Sequence, residues 1–243
     1  VHSFHMSKTE TTNQQYCEFL NSAAARNTII VKEGLVYTTD GKTLLCDTHR
    51  SDSACSITWD GDSFAVVKNR ENHPVVCIRW HGAAAYCNWL SEKKGTPLRL
   101  PTEDEWYRLR DLHEIPDQPY WETAPGNINL EHWASSCPVD RFRFGEFFDI
   151  IGNVWQWTET PITGFDGFEV HPFYDDFSTP TFDTRHNLIK GGSWISTGNE
   201  ATRDSRYAFR RHFYQHAGLR YVESDQPVAT RKVRYETDPL VAR

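Results

Sequence analysis

Apolar residues recur with a helical period in the amino-terminal half of the chain. The first such stretch predicts a helix over residues 12–25, opened by a capping box of Thr12 and Gln15. Its buried face follows the i, i+3, i+4, i+7 spacing and comprises Tyr16, Phe19, Leu20 and Ala23. The same spacing predicts a second helix from about His81 to Lys94.

A third helix is predicted where Thr102 and Glu105 form another capping box, and it should end near Leu112. The other apolar runs are too short for helices. Residues 35–37 and 63–67 are typical of strands and are separated by Asp-Gly and Gly-Asp turns. The chain therefore combines a few helices with many short strands.

The apolar pattern fades after residue 222, and the density of charges rises. We therefore assign residues 1–222 to one domain and residues 223–243 to a linker or the start of a following domain. Aromatic residues make up 14% of the chain, and 14 glycines and 12 prolines are spread along it. This composition fits a folded, loop-rich domain rather than a disordered chain.

Charge and hydropathy narrow the range of partners. The net charge of −7 argues against a general affinity for nucleic acids, and no apolar run approaches the roughly 18–20 residues of a membrane span. None of the six cysteines forms a Cys-x-x-Cys pair, which favours buried free thiols, with a Cys46–Cys55 disulfide as the alternative. Free thiols indicate a reducing compartment, so we predict a cytoplasmic protein.

Four groups of segments, in the same order, resemble those of formylglycine-generating enzymes and their relatives, the sulfatase-modifying-factor family. They are KTETTN at 8–13; HPVVCIRW at 73–80 with AAYCNW at 84–89 and RLPTEDEW at 99–106; DIIGNVWQWT at 149–158; and KGGSW at 190–194 with GLR at 218–220. The resemblance implies an α+β, irregular C-type-lectin-like fold with low regular secondary structure.

Most of the shared residues are expected to serve that fold. Gly191 and Gly192 should supply positive φ angles or a close approach of two backbones. Five tryptophans of the shared segments are expected to pack the core; these are Trp80, Trp89, Trp106, Trp155 and Trp194. The motifs therefore predict the fold more firmly than the activity.

Formylglycine-generating enzymes, as the resemblance describes them, bind copper through two cysteines that follow the Gly-Gly-Ser motif. Residues 190–243 contain no cysteine here, and Ala201 and Arg206 align with the expected thiols. Thiolates are the ligands that a soft metal prefers. A copper-dependent formylglycine-generating oxidase is therefore the least favoured hypothesis.

The second half of the chain is similar to a narrower group, the ovothiol-type sulfoxide synthases. The similar segments are Trp121 with residues 124–129, and residues 170–176, 186–190, 196–203 and 206–218. In that group, non-haem Fe(II) and O2 join the sulfur of cysteine to the imidazole of histidine. The resemblance implies these two substrates, and residues 235–240 resemble the joint to a C-terminal methyltransferase domain.

The Fe(II) ligands are expected outside this chain. In the sulfoxide synthases the motif His-x3-His-x-Glu lies on a separate amino-terminal helical-bundle domain. The nearest match here, His212 and His216, has Gly218 where the carboxylate is needed. The simpler interpretation of both histidines is a hydrogen-bonding or surface role.

Amino-acid substrates carry carboxylates, which guanidinium groups bind through paired hydrogen bonds. Arg206, Arg210 and Arg211 are therefore predicted to face the substrate. These arginines belong to the arginine-rich segment 203–220. The alternative for this segment is a set of structural salt bridges, with Arg203 and Arg220 as the first candidates for that role.

Two further assignments follow from the resemblance. Gln156 and Trp157 are assigned to substrate binding. Relatives often hold calcium in the preceding loop, so Asn153 and Val154 are candidate calcium ligands, although Gln156 replaces the acidic residue that a hard cation prefers.

Related synthases place a tyrosine near the iron, where it can donate a proton. The matching position here is Phe165, which has no hydroxyl and whose simpler role is packing. Tyr174 and Tyr207 are the candidate replacements.

Two hypotheses remain ahead of the copper oxidase. The favoured one is the substrate-binding domain of an iron-dependent sulfoxide synthase, which would be inactive without its iron-binding partner. The other is a non-catalytic, lectin-like ligand-binding module.

Overall fold

Three helices form where the apolar periodicity predicts them. The computed structural model describes residues 1–117, 125–173, 181–197, 200–210 and 216–224. Its helices are α1 (Asn13–Ala25), α2 (Trp80–Lys94) and α3 (Glu103–Asp111). Both predicted capping boxes are present, since the hydroxyls of Thr12 and Thr102 accept hydrogen bonds from the backbone amides of Gln15 and Glu105.

The strands are short, and most of them have two to four residues. Those in the described ranges are β1 (His5–Met6), β2 (Ile29–Lys32), β3 (Leu35–Thr38), β4 (Leu44–Asp47), β5 (Ile57–Trp59), β6 (Phe64–Val66), β7 (Leu98–Arg99), β8 (Arg143–Phe144), β9 (Phe147–Phe148), β10 (Trp155–Pro161), β11 (His186–Lys190), β12 (Tyr207–Arg210), β13 (Ala217–Gly218) and β14 (Val222–Glu223). Strands β3 and β6 confirm the two strand predictions.

The largest sheet has the strand order β12-β11-β10-β13. Its inner strands are antiparallel, whereas β13 runs parallel to β10 and places Ala217 opposite Trp155. Strands β12 and β13 thus lie at opposite edges, although only the six residues 211–216 separate them in the sequence. The stretch that carries Arg210 and Arg211 therefore runs from one edge of this sheet to the other.

Two smaller sheets secure the rest of the chain. The sheet β1-β14-β7 joins both ends of the described structure, because Val222 pairs with Met6 on one side and with Arg99 on the other. The sheet β2-β3-β4 covers the region between α1 and α2, and the hairpins β5-β6 and β8-β9 complete the fold. The architecture is mixed α+β with low regular secondary structure, as predicted.

The main apolar core lies between α1, α2 and the sheet β12-β11-β10-β13, which we call the central sheet. The rings of Tyr16 and Tyr86 stack there at 5.7 Å, and Phe19 meets Tyr86 edge to face. A second cluster surrounds the fully buried Trp106 with apolar side chains of α3 and of residues 150–151. Of the five tryptophans expected in the core, three are buried and two, Trp80 and Trp194, are half-buried.

The cysteines are buried free thiols, as the sequence predicts. All six are buried and none is in a disulfide, so the alternative Cys46–Cys55 bond is not formed. Among the described residues, none of the helices combines the length and the apolar content that would carry it across a membrane.

The two glycines of the fourth shared segment take the predicted conformation. Gly191 has φ of 95° and Gly192 has φ of 75°. A Cβ on Gly191 would lie 3.1 Å from the carbonyl oxygen of Ile150 and 3.2 Å from the amide nitrogen of Gln156. Both the conformation and the space therefore require glycine at position 191.

Thr102→Ala should destabilise the protein by about 1 kcal/mol, because α3 then loses the side-chain acceptor for the Glu105 amide. Denaturant unfolding monitored by tryptophan fluorescence would measure the loss. Thr39→Ala is the matched control, because Thr39 is exposed and lies in a turn. Equal destabilisation by the two substitutions would contradict the capping role.

Candidate functional site

The predicted substrate residue Arg206 is engaged by an acidic residue of α3. Its Nε and Nη2 donate to the two carboxylate oxygens of Glu103 at 2.9 and 3.1 Å, and Nη1 donates to the Thr163 carbonyl at 2.8 Å. The ring of Phe165 lies 4.4 Å from the guanidinium carbon. All three donor groups of Arg206 are thus satisfied by protein atoms.

Glu103 also faces a second cation, the buried Lys190 of β11. The Lys190 ammonium lies 3.7 Å from the Glu103 carboxylate and donates to the Ser205 carbonyl at 2.5 Å. The Tyr107 hydroxyl completes the group by donating to Glu103 at 3.1 Å. Burial lowers the pKa of Lys190 to about 8, and the Glu103 carboxylate opposes this shift. One buried acid thus links α3 to β11 and to the start of β12.

The remaining arginines of the segment divide into two groups. Arg203 pairs with Asp111 at 2.8 and 2.9 Å on the surface, which supports the structural alternative for that residue. Arg210 ends β12 with its backbone opposite His186, but its side chain lies outside the described structure. Arg211 also lies outside the described residues, so substrate contact by Arg210 and Arg211 stays a prediction.

The candidate catalytic aromatics are found in different settings. Phe165 is 61% exposed and covers the Arg206 guanidinium, which fits a packing role. Tyr207 is half-buried with its ring 5.3 Å from that of Trp155, and burial raises the pKa of its hydroxyl. Tyr174 lies outside the described residues.

Gln156 and Trp157 lie in the interior, and neither side chain reaches the surface. The Gln156 amide donates to the carbonyl of Asp149 at 3.0 Å, and its oxygen accepts from Nε of Arg220 at 3.2 Å. The Trp157 indole donates to the Ile78 carbonyl at 3.3 Å. Both side chains thus help to position the central sheet, and their contact with a substrate stays a prediction.

The side chain of the predicted calcium ligand Asn153 is hydrogen-bonded inside the protein. Oδ1 of Asn153 accepts from the Cys137 amide at 2.9 Å, and its amide group donates to Glu10 at 3.1 Å. Val154 is fully buried, and its backbone is hydrogen-bonded to Glu10. A calcium ion needs oxygen ligands that are free to point at it. The side-chain oxygen of Asn153 is already occupied, so calcium binding at Asn153 and Val154 stays a prediction that would depend on backbone oxygens.

The sequence reasoning missed a pair of buried carboxylates beside this loop. Glu10 and Asp149 are both inaccessible to solvent. Burial raises the pKa of Glu10 well above its usual range, and the Asp149 charge adds to this. Burial likewise raises the pKa of Asp149 to about 7, and the Arg220 guanidinium opposes this shift. The available signal was an acidic residue inside each of two otherwise apolar or uncharged segments, TETT and FFDII.

The structure also reveals a cavity that no local motif indicated. Its volume is about 340 Å³, and its described lining comes from five separate parts of the chain. These are the loop of residues 49–56, residues 67–76, the pair Ser135 and Ser136, and the rings of Trp194 and His216. We call it the His216 cavity.

His216 connects this cavity to the central sheet. Its backbone carbonyl accepts from the Trp155 amide at 2.9 Å, and its ring meets the Trp194 ring edge to face at 5.1 Å. Burial lowers the pKa of His216. Its partner in the weak metal motif, His212, lies outside the described residues. Within the described ranges, no three His, Cys, Asp or Glu side chains are grouped as a metal site would require.

Comparison with known proteins identifies the architecture. Residues 1–224 match the model of the sulfatase-modifying factor enzyme 1-like domain, which is nearly the whole chain. The chain belongs to this family. Two solved structures agree with the family's fold, namely CarF with a TM-score of 0.61 over 93% of this chain and 88% of that one, and PvdO from Pseudomonas aeruginosa with 0.59 over 91% and 80%. Their identities of 18% and 15% bear on the fold alone.

The relatives of this family domain include a formylglycine-generating enzyme, an ergothioneine biosynthesis protein and a hercynine oxygenase. The formylglycine-generating enzyme of Mus musculus is 26% identical over 80% of the chain and 58% of its own length. Ergothioneine biosynthesis protein 1 of Schizosaccharomyces pombe is 35% identical over 59% of the chain and 18% of its own length. Hercynine oxygenase of Mycobacterium tuberculosis is 26% identical over 51% of the chain and 30% of its own length. The chain thus spans between about a fifth and three fifths of these relatives.

Lys190→Met should remove a pH-dependent part of the stability of this family domain. The folded state lowers the pKa of Lys190 from its usual 10.5 to about 8, so it binds fewer protons than the unfolded state between these values. The native protein should therefore gain stability over the variant as the pH rises through that window, approaching about 3 kcal/mol. Denaturant unfolding of both proteins at several pH values measures the difference.

Lys68→Met is the control for that comparison, because Lys68 is exposed and its ammonium group is not buried. Its stability difference from the native protein should stay constant across the same pH window. If the difference for Lys190→Met were equally constant, the buried ammonium would not be the source of the effect.

Proposed function

We propose that this chain is the substrate-binding domain of a non-haem-iron, O2-dependent sulfoxide synthase of the ovothiol type. The substrates would be cysteine and histidine, each supplying a carboxylate and an ammonium group for recognition. The Fe(II) would be held by a separate helical-bundle domain, and a methyltransferase domain would follow residues 223–243. A cytoplasmic location is part of the same proposal.

One observation carries the choice within the family. The carboxy-terminal stretch 190–243 has no cysteine, and the six cysteines elsewhere are all buried. Of the two positions that align with copper-binding thiols, Ala201 is buried and Arg206 is held by Glu103. Because copper needs accessible thiolates at these positions, the oxidase chemistry has no ligands here.

The relatives supply the alternative. Ergothioneine biosynthesis protein 1 has the highest identity of the three relatives described above, and hercynine oxygenase matches half of the chain. Both are far longer than the matched region, which leaves room in such proteins for further domains. The proposal takes the ovothiol type from the resemblance of residues 121–129 and 196–218.

The reaction fixes what this domain must do. Joining the cysteine sulfur to an imidazole carbon as a sulfoxide removes one proton from each partner and uses one O2, with one oxygen atom in the product and the other in water. Iron, when bound by the partner domain, would activate O2 for this four-electron oxidation. The residues of this chain would hold the two amino acids in contact and exclude bulk water.

The arginine-rich segment and the His216 cavity support that role. Arg206 is occupied by Glu103, which leaves Arg210 and Arg211 as the proposed carboxylate-binding arginines of the segment. His216, five residues after Arg211, lines a cavity whose volume falls at the lower end of the range for small-ligand sites. A single amino acid is a ligand of that scale.

Arg210→Gln and Arg211→Gln in the full-length protein should each raise KM for an amino-acid substrate by roughly tenfold or more, because a charge-assisted hydrogen bond is lost. The assay supplies Fe(II), O2, cysteine and histidine and quantifies the sulfoxide by mass spectrometry. Arg108→Gln is the control, since Arg108 is exposed on α3. Unchanged KM values would remove both arginines from the site.

The same assay tests the function itself. Product from the full-length protein and none from residues 1–243 alone is the expected result. Absence of product from the full-length protein, combined with tight binding of other ligands, would favour a non-catalytic lectin-like module instead.

A further inference from the structure

We propose that Arg70 is the carboxylate-binding residue of the His216 cavity and that the cavity holds a small carboxylic acid with a planar ring. This inference rests on the proposed function in one respect, which is that the ligand would then be the histidine substrate. The geometry of the cavity supports the ligand class independently of the reaction.

The backbone holds Arg70 in a fixed place at the cavity wall. Its amide donates to the Val67 carbonyl at 3.0 Å, and its carbonyl accepts from the Asn13 side chain at 2.9 Å and from the His73 amide at 3.2 Å. These contacts come from α1 and from two turns. The guanidinium therefore projects from an anchored position rather than from a loose loop.

The Arg70 guanidinium has no carboxylate partner in the described part of the chain. Its Nη1 donates to Nδ1 of His73 at 3.2 Å, and burial and the Arg70 charge together lower the pKa of His73. The contrast is with Arg206 and Arg99, whose guanidinium groups each meet a carboxylate at 3 Å or less. A half-buried guanidinium facing a cavity without an acid is suited to an anionic ligand.

The other described lining residues favour an anion as well. They include four serines and two histidines but no aspartate or glutamate. Two acidic residues act from beside the lining, since the Asp52 charge opposes the lowering of the His216 pKa and the Glu71 charge opposes that of His73. The serine hydroxyls and the Arg70 guanidinium, which has no carboxylate partner among the described residues, give the cavity the polarity of a carboxylate site.

The lining also offers surface for a flat ring. Trp194 and His216 meet edge to face at 5.1 Å, and Pro74, Val67 and Val76 supply apolar surface. Edge-to-face and stacked packing against such rings favours an aromatic or heteroaromatic ligand. A cavity of about 340 Å³ has the scale of one ring-bearing amino acid.

The test is calorimetric titration of the full-length protein with histidine and with histamine, which has the same ring and no carboxylate. Native protein should bind histidine at least roughly tenfold more tightly than histamine, and Arg70→Gln should remove that preference. Arg70→Lys should restore part of it. Arg50→Gln is the matched control, because Arg50 is exposed and follows the lining residue His49 in the sequence but does not itself line the cavity.

The outcomes separate this inference from the proposed function. Equal histidine affinity in native protein and Arg70→Gln, with both proteins folded by circular dichroism, would overturn the role of Arg70 even if the enzyme forms sulfoxide. Arg70-dependent binding of imidazole-4-propionate or benzoate without any sulfoxide synthesis would support the inference and contradict the proposed function. A loss of folding in Arg70→Gln leaves the comparison between Arg70→Lys and native protein to decide.

Discussion

A single buried guanidinium connects the parts of this fold that have no long element to join them. Arg220 is inaccessible to solvent, yet it donates to the carbonyls of Ser7 at 2.7 Å and Phe148 at 2.6 Å, and to the side chain of Gln156 at 3.2 Å. These acceptors belong to the amino terminus, to the hairpin β8-β9 and to the central sheet. The carboxylates of Glu10 and Asp149 supply the opposing charge. A buried charge is tolerated only when such partners surround it.

The position of the candidate site depends on this arrangement. Arg220 lies two residues after the end of β13, and β13 fixes Ala217 beside Trp155, so the buried contact also places His216 at the cavity wall. On the far edge of the sheet, the Glu103 carboxylate holds Arg206 and faces Lys190, and thereby places the start of β12. Two internal ionic groups thus hold both ends of the segment that carries Arg210 and Arg211. Holding these buried charged groups requires polar side chains in the interior. The side chains of Gln156 and Asn153 are therefore buried and hydrogen-bonded rather than available to a ligand.

Local signals predicted the helices and several strands, because capping boxes and periodic apolar residues act over a few positions. Thr12 and Thr102 predicted helix starts to within one residue. The partners of Arg206 and Lys190 could not be predicted in the same way, since Glu103 lies in a different element far along the sequence. The His216 cavity is harder still to predict, because its described lining comes from five segments that meet only in the folded chain. The burial of Gln156 and Asn153 was missed because the resemblance indicated a loop for ligands, whereas their amide groups satisfy buried backbone carbonyls and amides.

In the proposed function, this chain presents guanidinium and aromatic groups to amino-acid ligands, while the redox metal comes from another domain. Metal analysis after anaerobic reconstitution with Fe(II) or Cu(I), followed by gel filtration, tests it directly for residues 1–243 and for the full-length protein. We expect about one iron per full-length protein and no stoichiometric metal on residues 1–243. One tightly held iron or copper ion per molecule of residues 1–243 would contradict it.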